Sequence, residues 1–179
     1  MEPFEGIVKT ALELEGYWVR QSFKVNLTKE EKREIGKHSL PRPEIDLLAF
    51  KPGQNRVLAI EVKSYFDSPG VTFHDLEKIH AVPEGRHKLL TCASYKKIVF
   101  QRQALDLQAV GLANPTTSIE LGLVLGNVKK ADEARIQAFL VSSKIFYWSP
   151  QDVKKKIMSF ATLGYENDPA IIAAKALLR

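Results

Sequence analysis

Apolar residues recur along this chain with two periods, and the changes between them mark out its elements. Over residues 3–15, Phe4, Ile7, Val8, Ala11 and Leu14 fall at helical spacing, with Pro3 suited to a first helical position and Gly16 to a C-terminal stop. Residues 17–27 are rich in aromatic and β-branched side chains and predict a strand. The charged run over residues 28–37 predicts a short exposed helix or loop, after which Pro41 and Pro43 hold the backbone extended. Two apolar runs, residues 44–51 and 56–65, flank the turn Pro52-Gly53-Gln54-Asn55 and predict a hairpin. Ile45, Leu47, Leu48 and Phe50 in the first run, and residues 57–60 with Val62 in the second, make both strands apolar on both faces. Such strands are covered on both sides, so the sheet is expected to lie between helices.

Residues 66–95 carry little beyond turn signals at Ser68-Pro69-Gly70 and Pro83-Glu84-Gly85. The pattern then predicts a helix over 95–111, a strand over 119–125, a helix over 131–141 and a short strand over 145–148. Ser149, Pro150 and Asp152 form a helix start, and that helix buries Val153, Ile157 and Phe160 while Lys154, Lys155 and Lys156 stay largely in solvent. Asp168 and Pro169 open a last apolar helix expected to reach Arg179. The expectation is a single mixed α/β domain over residues 1–179.

Composition excludes several classes. An apolar fraction of 45% with 26% charged residues is ordinary globular usage. No apolar run approaches the ~18 residues needed to span a bilayer, and the opening MEPFEGIVKT lacks a signal-peptide layout. The single cysteine, Cys92, excludes an internal disulfide framework and a cysteine-rich zinc site. No membrane partner and a cytoplasmic location are the expectations. The net charge of +5 permits a polyanionic partner without requiring one.

The chemistry concentrates in Ile45-Asp46 and Glu61-Val62-Lys63. A charge inside an apolar strand costs several kcal/mol unless it is paired or bound. Side chains alternate along a strand, so Glu61 and Lys63 share a face. A hairpin centred between Gly53 and Gln54 sets Asp46 opposite Glu61, with Cβ atoms ~5 Å apart, and all three residues converge. Two carboxylates this close stay ionised only around a cation, and one ammonium leaves the patch negative. A hard divalent ion such as Mg²⁺ or Mn²⁺ suits such oxygen ligands, and phosphodiester hydrolysis suits the set, with Lys63 orienting or deprotonating the attacking water.

Ile45-Asp46, a spacer of fourteen residues and then Glu61-Val62-Lys63 closing an apolar strand resemble the signature of the PD-(D/E)XK nuclease superfamily. Phe4-Glu5, Val8, Leu12 and Gly16-Tyr17 are similar to the first helix and strand of Holliday-junction resolvases and Mrr-like restriction enzymes in that superfamily. The first motif departs from the family pattern, reading Pro43-Glu44-Ile45-Asp46 rather than Pro-Asp. The resemblance implies a restriction-endonuclease-like α/β core: a helix, three mostly antiparallel strands, a helix and a further strand. It covers residues 3–125 and leaves 126–179 as a C-terminal helical and strand extension. It further implies Asp46, Glu61 and the carbonyl of Val62 as metal ligands, Glu5 joining them, and a supporting glutamine on the helix after the hairpin, with Gln103 placed nearer its buried side than Gln101.

Each of these residues also has a plainer reading. Asp46, Glu61 and Lys63 could form a structural ion-pair cluster, Glu5 could serve the helix dipole, and Gln103 could be an ordinary helix glutamine. Arg86, Lys88, Lys96 and Lys97 are candidates for contacts to nucleic acid, or else a solvated loop and helix face. His74, His80 and His87, spaced six and seven apart, do not match a zinc pattern. The expected activity is metal-dependent cleavage of nucleic acid, DNA first. The rivals are an inactive nucleic-acid-binding module on the same fold, and a scaffold that dimerises through the apolar residues 171–178.

Overall fold

The computed structural model describes residues 2–178. In chain order its elements are α1 (Pro3–Leu14), β1 (Trp18–Lys24), α2 (Lys29–Glu34), β2 (Glu44–Lys51), β3 (Arg56–Lys63), α3 (Phe73–Glu77), α4 (Lys88–Thr91), α5 (Ala93–Ala109), β4 (Ser118–Leu125), α6 (Glu133–Ser142), β5 (Phe146–Trp148), α7 (Pro150–Phe160) and α8 (Pro169–Leu178). The strands form one sheet in the order β1-β2-β3-β4-β5. The first three pair antiparallel, and β4 and β5 add on in parallel. The protein is therefore α/β, with a mixed sheet flanked by helices and a C-terminal helical segment. Among the described residues, no helix is long and apolar enough to cross a membrane.

Both faces of the sheet are covered, as the two-sided apolar strands require. Phe4, Val8 and Leu12 of α1, Phe160 of α7 and Ile171 of α8 share one core with Leu47, Leu58, Ile60 and Val124. On the other face α5 sets Ile98 and Val99 against Leu48, Val57 and Ala59, while α6 sets Ile136 and Leu140 against Leu123 and Leu125. From β3 to β4 to β5 the chain steps twice in the same direction, so crossovers of one hand place α5 and α6 on one face.

Local chemistry fixes the element ends. Thr28 and Glu31 form a capping box at α2, and Ser149 and Asp152 form one at α7. Asp168 accepts the amides of Ala170 (2.8 Å) and Ile171 (3.2 Å) and the hydroxyl of Thr10 (3.0 Å), which starts α8 and ties it to α1. Arg179, the expected end of that helix, lies outside the described residues. The segment 66–95 folds into two short helices, α3 capped by Thr72, and α4.

One irregularity prepares the site. Pairing of β1 with β2 is regular except at Ser22 and Asp46, which would face each other, and Ser22 has a left-handed φ of 52°. Leu47 and Ala49 lie in the core under α1, yet Ile45 and its partner Phe23 lie in the core under α5. Strict alternation would keep all of these β2 residues on one face. The sheet is thus kinked at Asp46, a departure of the kind that bulges and left-handed residues make next to functional positions.

Candidate active site

The predicted hairpin register holds from Lys51↔Arg56 to Leu47↔Ile60, and there the ladder of β2 with β3 ends. Asp46 and Glu61, the next expected pair, are not partners in it. Instead the amide of Val62 donates to Oδ2 of Asp46 at 2.8 Å. The kink lets a carboxylate take a backbone amide that the ladder leaves over. Lys63 Nζ reaches the same oxygen at 3.3 Å, while no hydrogen bond to Oδ1 of Asp46 is made among the described residues.

Glu61 sits beside this pair without sharing its bonds. Its carboxylate makes no hydrogen bond and no ion pair among the described residues. Burial, with a smaller push from Asp46, raises its pKa to about 7 although Lys63 and Lys88 pull the other way. For Lys63, burial opposes the charge, but Glu61 and Asp46 outweigh it and hold the pKa above the ordinary lysine value. The side chain is therefore an ammonium at neutral pH. Tyr95, at the start of α5, is raised to about 12 by burial and then by Glu61.

These groups lie in a cleft of about 580 Å³ at the C-terminal end of β3. Asp46, Glu61, Val62, Lys63 and Glu5 all line it, as do Arg86 and Lys88. Glu5, in the first turn of α1, has its pKa raised by burial and then by Asp46. Lys96 and Lys97, on α5, do not line the cleft. Gln103 does not line it either: it is wholly buried in α5, with both amide atoms lacking a hydrogen-bond partner.

Sequence reasoning did not single out Arg42, Ser64, Tyr65 or Tyr95, which also line the cleft. Tyr95 was discoverable, since it stands three and four residues before the buried Ile98 and Val99 and so faces the sheet. Arg42 carried no signal, because the loop between Leu40 and Pro43 reaches the cleft only through the tertiary fold. The end of β3 is held from two directions. The amide of Gly126 donates to the carbonyl of Lys63 at 2.8 Å, and the ring of Phe66 packs edge-on against Phe4 with centroids 5.1 Å apart. A Cβ at Gly126 would lie 2.6 Å from the carbonyl oxygen of Ser64, so only glycine permits this approach.

The donor set suits a hard divalent cation. Glu61 offers a carboxylate with no protein hydrogen-bond donor among the described residues, and Asp46 offers Oδ1. Among the described residues, no three acidic, histidine or cysteine side chains gather as a ready metal cage, and the carbonyl of Val62 is one further oxygen in the cleft lining. No family model matches the chain, and no curated protein or solved structure matches it.

Proposed function

We propose that the chain is a metal-dependent nuclease that hydrolyses phosphodiester bonds, with DNA as substrate, and that it belongs with the PD-(D/E)XK nucleases its motifs resemble. The observation that carries the reading is Glu61. A half-buried carboxylate next to a second carboxylate, bonded to neither protein donor nor counter-ion among the described residues, has no part in a purely structural cluster. It is what a cation site requires. A structural salt bridge accounts for Asp46 and Lys63 and leaves Glu61 unexplained.

Asp46, Glu61 and the carbonyl of Val62 would hold Mg²⁺ or Mn²⁺, with Glu5 near enough to add negative charge. Such an ion supplies positive charge at the phosphate and a more acidic water. The chain's own residues do the positioning. The Val62 amide fixes the Asp46 carboxylate, so its free oxygen is presented in one orientation. Lys63, kept as an ammonium, donates toward the attacking water or toward charge growing on the phosphate. Arg86 and Lys88 line the same cleft and favour a polyanion entering it.

The test is cleavage of supercoiled, linear, branched and single-stranded DNA in Mg²⁺ or Mn²⁺. Wild type should cut at least one form, and Asp46→Asn or Glu61→Gln should reduce the rate by at least roughly a hundredfold. Undiminished cleavage by either variant places the chemistry elsewhere, and tight DNA binding without cleavage by wild type identifies a binding module instead.

A further inference from the structure

A second cavity, of about 510 Å³, adjoins the first and shares Tyr65, Gly85 and Arg86 with it. The shared wall includes a cation–π pair, with the Arg86 guanidinium 5.5 Å from the centroid of the Tyr65 ring. Tyr65 is set there by its backbone. Its φ is 49°, a left-handed value that a bulky residue adopts only under constraint, and its carbonyl accepts Nδ2 of Asn127 at 3.2 Å and the Ser68 amide at 3.3 Å. The ring is thus part of a built wall.

Both cavities mix charges: Glu2, Glu5, Glu44, Asp46 and Glu61 stand beside Lys63 in the first, and Lys78 stands beside carboxylates in the second. Arg42 and Lys88 line only the first, whereas Asp75 and Glu84 line only the second. There Lys78 Nζ lies 3.6 Å from Asp75, and Nδ1 of His80 lies 3.9 Å from Glu84. With Lys78 already facing Asp75, the second cavity has room for an uncharged planar group. Pro69 and Val71 add apolar surface to the walls. His87 also lines this cavity; it is 4% exposed, and its buried Nδ1 has no hydrogen-bond partner.

We infer that the second cavity receives the base of the nucleotide next to the phosphate held at Asp46 and Glu61, with Tyr65 and Arg86 as its stacking wall. The substrate class is then nucleic acid that is single-stranded, or unpaired at that nucleotide. This rests on the nuclease reading of the first cleft. Aromatic and guanidinium planes are how proteins hold the bases of unpaired strands, and a paired base reaches such a pocket only by leaving its stack.

Binding is measured by fluorescence anisotropy on a labelled 12-nucleotide DNA strand, in Ca²⁺ to hold the strand uncut, with one abasic position moved along it. The same strand is also measured fully paired. The expected result is one abasic position that weakens binding roughly tenfold, the usual scale for a stacked base, and a comparable penalty for the duplex. In Tyr65→Ala the abasic penalty should disappear. A variant that fails to fold leaves a second measurement on wild type: a 4-thiothymidine at that position should crosslink within residues 65–72 or 85–91. A flat abasic scan, or a crosslink outside those segments, with cleavage retained, overturns the base pocket and leaves the nuclease reading. Absence of binding and cleavage for every oligonucleotide overturns both.

Discussion

At Asp46, Glu61 and Lys63 three charges share one cleft, but they are not equivalent. Asp46 is bonded to a backbone amide and to Lys63, whereas Glu61 has neither kind of partner. A carboxylate whose folded pKa is about 7 binds more protons folded than unfolded between pH ~4.5 and 7. Its contribution is therefore fully present at low pH and is lost as pH rises through about 7. Without metal, Glu61→Gln should be more stable than wild type at pH 8, by up to about 3 kcal/mol in urea denaturation, and should gain little at pH 4.5. Equal stability at pH 8 would mean that Glu61 is satisfied and needs no cation. Lys63 divides the readings differently. Lys63→Met keeps most of the apolar stem, and Asp46 retains the Val62 amide, so the fold should survive. Cleavage should fall roughly 10²–10⁴-fold with DNA binding intact. A Lys63→Met protein that cuts at the wild-type rate removes the lysine from the mechanism.

At the scale of elements, the site depends on how β3 ends. The carbonyl of Lys63 is bonded to the amide of Gly126, and the next peptide lies against Gly126 itself. Gly126→Ala should cost roughly 1–3 kcal/mol by thermal or urea denaturation, because the added methyl meets backbone that cannot give way. Its cleavage rate should fall as well, since Ser64 follows Lys63 directly. A substitution without effect on either would show that this clamp does not position the site. The hairpin was legible because Pro52 and Gly53 mark its turn and the apolar runs fix its register, and the helix starts at Ser149 and Asp168 were legible from their caps. The kink was not. Nothing local in Gln21-Ser22-Phe23 announces a left-handed residue, and only the neighbouring strand reveals why Asp46 turns to an amide. The segment 66–95 was opaque for a related reason. Its helices have five and four residues, too short for a periodic pattern, and they are held by tertiary contacts such as Leu76 and Leu89.

Across the whole molecule, the sheet brings the antiparallel β2, the C-terminal end of β3 and the first turn of α1 to one edge, and the cleft opens there. The C-terminal helices α7 and α8 pack on the α1 face and contribute no residue to the cleft. Arg86 and Lys88 reach the cleft from the loop and short helix before α5, while Lys96 and Lys97 do not line it, so spacing alone did not separate the two pairs. The account turns on a divalent cation between Asp46 and Glu61. Calorimetric titration of Mn²⁺ into wild type and into the Asp46→Asn, Glu61→Gln double variant tests it most directly. Wild type should bind one or two ions, more tightly at pH 8 than at pH 6 because Glu61 must lose its proton, and the double variant should show no comparable binding. Equal Mn²⁺ affinity in the two proteins would contradict the account.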